Sequence, residues 1–328
     1  MKNSNVLGDN IGSVERLDND ASCLVAVNSA RVSFNKESTS FTTREEKETG
    51  SDEGLLSYLA KNNHWTPFSH VRHTFVIPHE SLRRNRWFYI DEEALAGVVY
   101  TRTGQGYKIR TSLHGWLRLL NEGVFTNLTK NLLTNALIKR NPECMKAYGV
   151  VRQDVPERTR PLLYIPQAYE ICPRFFDVTL RLKMPIFVTR QWFKHQVGFT
   201  RNEVSRRYVD DEPEIHVPPE YRRKPEGSIK QGSGDIHPAS LDFKHLNAGT
   251  EHSCSFLYNV MISEGVCPEQ ARGVLPLNTY TEFWETASLH SYKRLIEQRI
   301  DPHAQLEIQH YANAVKELLE KDYDQFLN

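Results

Sequence analysis

The chain has 328 residues, with 41 Lys and Arg against 41 Asp and Glu, 39% hydrophobic and 25% charged. That length buries one large core or two ordinary ones, and the balanced charge argues against a general nucleic-acid coat, which needs a basic excess. Five scattered cysteines (Cys23, Cys144, Cys172, Cys254 and Cys267) form no CxxC and lie at no metal spacing from a histidine. We therefore expect reduced thiols, a cytoplasmic location and no metal site. No apolar stretch near the start resembles a signal peptide, and no apolar run reaches membrane-spanning length.

In chain order, CLVAVNSARVSF (Cys23 to Phe34) suits either a strand or a short buried helix. The polar run from Phe34 to Gly54 reads as a mobile loop. Ser51, Asp52 and Glu53 open a helix that LLSYLAKN continues. Pro67 is expected to end any helix and to leave His64 and Thr66 in a turn. VRHTFVIP alternates like a strand. The texture changes between about 80 and 175. Two amphipathic helices are predicted there, with Leu117, Leu119 and Leu120 on the first and Leu128, Leu132, Leu133 and Leu137 on the second. TGQGY lacks the spacing of a phosphate loop, so a structural insert is the favoured reading. A Pro-rich connection follows. Strand alternation resumes up to Pro185, and a helix is predicted at Ile186–Phe193. The stretch from Asp210 to Phe243 is a long loop of the kind that is often functional. Helical spacing returns at Asn247–Glu264, and Pro268 starts a short helix. LPLNTYTEFWETASL reads as turn and strand, and HSYKRLIEQRI as a helix. Asp301 and Pro302 predict the start of the last helix, with a core stripe at Leu306, Ala312, Val315 and Leu319.

Charge concentrates in RQWFKHQVGFTRNEVSRRY, Arg190 to Tyr208. If extended, NEVSRRY points Glu203, Ser205 and Arg207 one way. A guanidinium fork, a hydroxyl and backbone N–H groups together can bind a phosphate. Glu203, among so many cations, is expected to stay ionised because positive charge lowers its pKa. The bland alternative is a surface salt-bridge network. The aromatic and apolar company favours a partly buried anion site, since buried charges need partners. Arg272, in an apolar run, either pairs with a buried carboxylate or reaches a ligand. Arg299 at a helix end, with the next helix start, could hold a phosphate. His303 taken alone reads as a packing histidine.

Four segments together resemble the flavin-dependent thymidylate synthases. That family's signature, R-H-R-x-x-S-x-N-E-x-S-x-R-Y preceded by R-Q-W-F, stands here as RQWF, KHQ, VGFTR and NEVSRRY. LVAVNSARVSF, LAKNNHWTPFSH and ARGVLPLNTYTEFWETASL with RIDPHAQLEIQHYA support it, and so does KQGSG. Lys194 and Gln196 replace the two arginines of R-H-R, Thr200 stands for the first Ser, and one extra residue lies between His195 and Asn202. Ser69 stands where many members have Glu, and Ser288 where many have Asn.

The resemblance implies an α+β fold: a central, mostly antiparallel sheet flanked by helices. Residues 1–78 and 176–328 would form one discontinuous domain, with 79–175 a partly helical insert of unknown role. It implies reductive methylation of dUMP to dTMP, with 5,10-methylenetetrahydrofolate as carbon donor and NADPH as reductant through FAD, and no covalent cysteine attack. Carried over by position, dUMP meets Gln191, Glu203, Ser205, Arg207, Arg272 and Arg299. FAD meets His64, Thr66, Lys194, His195, Gln196, Asn202, Ser288, His290, Arg294 and His303. Arg299 would polarise the uracil, with Ser205 and His64 beside the chemistry. A homotetramer with sites at subunit interfaces is implied, without nucleic acid or membrane. Two other readings compete. One is a flavin-dependent uracil methylase acting on RNA, which the neutral charge disfavours. The other is a non-catalytic nucleotide- or flavin-binding protein, which the Lys194 and Gln196 replacements keep open.

Overall fold

The computed structural model describes residues 2–82, 97–170, 172–226 and 232–327. The chain divides into two units: Met1–Leu17, Val32–Asn35 and Thr179–Asn328 form one, and Asp18–Arg31 and Lys36–Val178 the other. Among the described residues no helix is long and apolar enough to cross a membrane.

The first unit holds a five-stranded sheet in the order β1 (Lys2–Asn3), β2 (Ser13–Leu17), β7 (Asp177–Pro185), β9 (Tyr280–Ser288), β8 (Thr200–Glu203). β1–β2, β2–β7 and β8–β9 are antiparallel. Four helices that matter for the site belong to it: α7 (Ile186–Trp192), α8 (Ser240–Ser263), α10 (Leu289–Arg299) and α11 (Leu306–Leu327). A short α9 (Pro268–Ala271) has proline in its first turn, where a missing N–H costs nothing. Strand gives way to helix at Pro185, as its alternation predicts, because proline ends the ladder and presets the first helical turn. On α11 the buried stripe is Ile308, Tyr311, Ala312, Val315 and Leu319, and Leu306 is only half-buried. The last helix begins at Leu306, later than Asp301 and Pro302 predict. Asp301 instead accepts from the His303 backbone N–H at 2.8 Å, so its carboxylate caps a turn and not the helix.

The second unit has its own antiparallel sheet, β4 (Val99–Thr103), β5 (Gly106–Ser112), β3 (Arg72–Pro78), β6 (Leu163–Ile165). Around it lie α1 (Cys23–Arg31), α2 (Asp52–Lys61), α3 (Thr66–Ser69), α4 (Leu113–Asn121), α5 (Asn127–Arg140) and α6 (Pro142–Ala147). Cys23 to Phe34, ambiguous in sequence, is helical, with a 3-10 turn at Val32–Phe34. Pro67 stands in the first turn of α3 and does not end a helix, so Thr66 is helical and not in a turn. The polar loop before α2 is tied down: Asp52 accepts from Arg31, Ser38 and Thr42. One core joins Leu56, Phe68, Phe75 and Ile77 to Ile109, Trp116, Leu119, Leu133, Leu137 and Met145. Leu117 and Leu132 are half-buried and Leu128 is exposed. Residues 18–31 and 36–78 therefore cluster with 79–175, which parts the chain elsewhere than the boundary expected at 78/79. The reason is β3: its neighbours on both sides, β5 and β6, come from that stretch.

Candidate active site

The segment 190–208 is distributed over the end of α7, a turn and β8. Gly198 makes the turn possible, because its φ is +87° and a Cβ there would lie 2.3 Å from Ser291 Oγ. The turn thus packs on the start of α10. Phe199 meets Tyr292 edge-on with centroids 5.3 Å apart, and Arg294 Nη2 donates to the Val197 carbonyl at 3.4 Å. His195 is buried, and its Nε2 accepts from Arg299 Nε at 2.7 Å. Burial, then Arg299, Arg201 and Arg294, bring its imidazole down to about 4. It is neutral at pH 7, as an acceptor must be. Burial also lowers the Arg299 guanidinium, which stays charged at pH 7. Arg299 Nη2 donates to the Gln191 carbonyl at 3.4 Å, and the Gln191 amide donates to Gln305.

Gln191, Arg299 and His303 line a cavity of about 520 Å³ together with Tyr221, Arg222 and Glu307. Glu203 and Arg272 line a second, of about 320 Å³, with Lys183, Arg190 and Arg206. The two cavities share no lining residue. Extended geometry stops at Glu203. The Tyr208 N–H donates to the Ser205 carbonyl at 2.8 Å, and the turn lets Ser205 Oγ accept from Arg207 N and Nε at 3.4 Å. Ser205 and Arg207 therefore meet through a turn and not through strand alternation. Arg207 lies over Tyr208, which stacks on Phe34.

Glu203 departs from expectation. Crowding by protein atoms raises its carboxyl, while the Thr281 hydroxyl (2.7 Å) and the Arg272 charge oppose that. Arg201 is a structural cation. Register sets it opposite Glu285, to which it is salt-bridged, and that fully buried carboxylate also accepts from Trp192 Nε1 at 3.2 Å. Arg206 approaches Asp211. Part of the basic segment thus follows the bland salt-bridge reading.

Lys194 and Gln196 are exposed at the turn. Asn202 lies on β8 opposite Trp284. Ser288 is the N-cap of α10, its hydroxyl accepting from the Ser291 N–H at 3.2 Å. His290 is exposed on α10, and His303 Nδ1 is 2.9 Å from Asp301. His64 and Thr66 belong to the other unit and are exposed, His64 between α2 and α3 and Thr66 at the first position of α3. Lys230 and Gln231 of KQGSG lie outside the described residues. Sequence reasoning missed Arg222 and Glu307, paired at 2.8 Å on the first cavity. The signal available was the length of the 210–243 loop. It folds back on itself, with Arg223 N–H to Asp235 O and His237 N–H to Tyr221 O. No metal-holding cluster occurs among the described residues.

This arrangement defines an α+β protein that presents two charged cavities, each lined by as many carboxylates as Lys and Arg side chains, beside an antiparallel sheet and its C-terminal helices. The chain belongs to the flavin-dependent thymidylate synthase family. The model of the thymidylate synthase complementing protein family matches residues 174–323. The flavin-dependent thymidylate synthase of Thermosipho africanus is 32% identical over 182 residues, 52% of this chain and 78% of that protein. That of Thermus thermophilus is 36% identical over 180 residues, 53% and 64% of the two chains. That of Aquifex aeolicus is 28% identical over 321 residues, 89% and 92% of the two, so its alignment spans 79–175 as well.

Proposed function

We propose that this chain converts dUMP to dTMP by reductive methylation, with flavin as its cofactor. The observation that carries the reading is the His195–Arg299–Gln191 group. A neutral imidazole holds Arg299 Nε, so the guanidinium is oriented and its remaining N–H groups can serve a ligand. A guanidinium fixed before reaction stabilises negative charge developing on a uracil ring without reorganising. Ser205, Arg207 and Arg272 would hold the phosphate, Arg as a bidentate fork and Ser as a neutral donor. Glu203 would accept from the sugar or base. FAD supplies hydride chemistry when bound. Lys194 at the turn and the cations of α10 suit its phosphates, and His64, Thr66 and His303 would complete its surroundings. Methylenetetrahydrofolate would supply the carbon and NADPH the reducing equivalents.

A homotetramer in the cytoplasm is part of this reading. Four of the six dUMP residues line two separate cavities on one chain, Gln191 and Arg299 the first and Glu203 and Arg272 the second, so a neighbouring subunit would unite them. α8 supports this: Leu241, Leu246 and Phe256 are 63%, 69% and 64% exposed, an apolar surface suited to another subunit. The test is an absorbance spectrum of the purified protein with FAD, before and after dUMP, followed by turnover with folate and NADPH. A flavin band that shifts on adding dUMP, and dTMP formation, are expected. Protein that takes up no flavin overturns the reading.

A further inference from the structure

The aromatic residues around His64 are not packed as core. Tyr58 is 57% exposed and Trp65 39% exposed, whereas Phe68, three residues on, is fully buried. His64 is exposed too and lies edge-on to Tyr58, with centroids 5.9 Å apart. Single exposed aromatics need no explanation, but an ordered cluster of them does.

The order comes from beneath. Trp65 stacks on His114 with centroids 4.4 Å apart and planes at 24°. Tyr148 lies nearly parallel to the indole at 6.3 Å, too far for a full face contact, and packs on Phe68 at 4.7 Å. His114 is on α4 and Tyr148 follows α6. Burial, then Arg118, brings the His114 imidazole down to about 4, so an uncharged ring forms the floor. The Trp65 carbonyl accepts from Ser69 Oγ at 3.2 Å, which fixes its backbone at the start of α3. The indole is thus seated on His114, and 39% of Trp65 stays exposed. An aromatic ring ordered before binding loses little entropy when a flat partner stacks on it.

We propose that Trp65 is a stacking platform for a flat, conjugated heterocycle, and that seating it is a task of residues 79–175. The proposal rests on the flavin reading above, which supplies two such rings, isoalloxazine and pterin. Trp65 lies between His64 and Thr66, both placed near the flavin by that reading. The platform gives 79–175 a purpose: His114 and Tyr148 come from that stretch.

The experiment titrates FAD, and separately folate, into the full-length protein and its Trp65→Phe, Trp65→Ala and His114→Ala variants. An indole stacked on isoalloxazine quenches flavin emission. Trp65→Phe should keep affinity within about threefold while bound-flavin emission rises, a change that a packing role would not produce. Trp65→Ala should weaken binding roughly five- to hundredfold, the range of one lost stacking contact, and His114→Ala should weaken the same ligand. If folate affinity responds and flavin does not, the ring on the platform is the pterin. If neither ligand responds in the Phe and Ala variants, the platform is overturned. If His114→Ala binds like the parent, the role given to 79–175 is overturned. A parent protein that takes up no FAD overturns the flavin reading itself, which these variants would not report.

Discussion

His195 can accept from Arg299 only while its imidazole is uncharged. Its folded value is about 4 against an ordinary 6.5, so on acidification the unfolded chain takes the proton first. The stabilisation is complete above about pH 6.5 and is lost as the pH falls towards 4. We predict an imidazole titration midpoint near 4 for His195 by NMR; a midpoint near 6.5 would mean that the ring is not seated as described. Arg207 makes a second residue-scale case. Arg207→Ala removes a charge-assisted contact worth about 1.5–3 kcal/mol, so dUMP should bind roughly ten- to hundredfold more weakly. Flavin should remain bound, and equal dUMP affinity in variant and parent, by calorimetry, would remove Arg207 from the site. These residues were legible because the motif that holds them resembles the family signature. The sign of the Glu203 shift was not, since it depends on how many protein atoms crowd the carboxyl. Nor was the turn at Ser205, where side chains that alternation would separate by two positions converge on one hydroxyl.

Elements were most legible where proline and periodicity agreed. β7 and α7 meet at Pro185, and both signals point to that residue. They were least legible where proline and aspartate each have two local uses. Pro67 sits in the first turn of α3, and Asp301 caps a turn. A preceding apolar run does not distinguish those uses; the backbone path does. The β8–β9 ladder shows an element made dependent on charge. Register brings Arg201 to Glu285, and the carboxylate has no exposed surface. Burial raises it, and Arg201 and Trp192 oppose that. Glu285→Ala would leave a guanidinium without its partner in the sheet, at a cost of about 3–5 kcal/mol. The urea midpoint should fall accordingly, and pairing that change with Arg201→Met should recover much of the loss. A drop below about 1 kcal/mol would mean that water reaches Arg201.

At the scale of the whole molecule, two surfaces decide what the chain needs. The first is α8, where Leu246 and Phe256 face solvent. Leu246→Glu with Phe256→Glu should reduce the mass measured by light scattering if subunits meet there, and an unchanged mass would place the interface elsewhere. The second is the stretch 79–175. Composition marked it as different, and a peripheral insert could be cut away. Sheet topology argues otherwise, in a way the sequence could not reveal, because strand pairing across a long connection has no local signal. β3 is flanked by β5 and β6, so deletion would open both of its edges. Phe68, Phe75 and Ile77 would lose Ile109, Trp116, Leu133 and Met145, with which they form one core. Trp116 also donates from Nε1 to the His73 carbonyl at 3.1 Å, locking α4 to β3. A chain with 79–175 replaced by a short linker should therefore aggregate on expression. A soluble shortened chain that still gains a flavin band would show that residues 18–31 and 36–78 can find other cover, and that this core is dispensable.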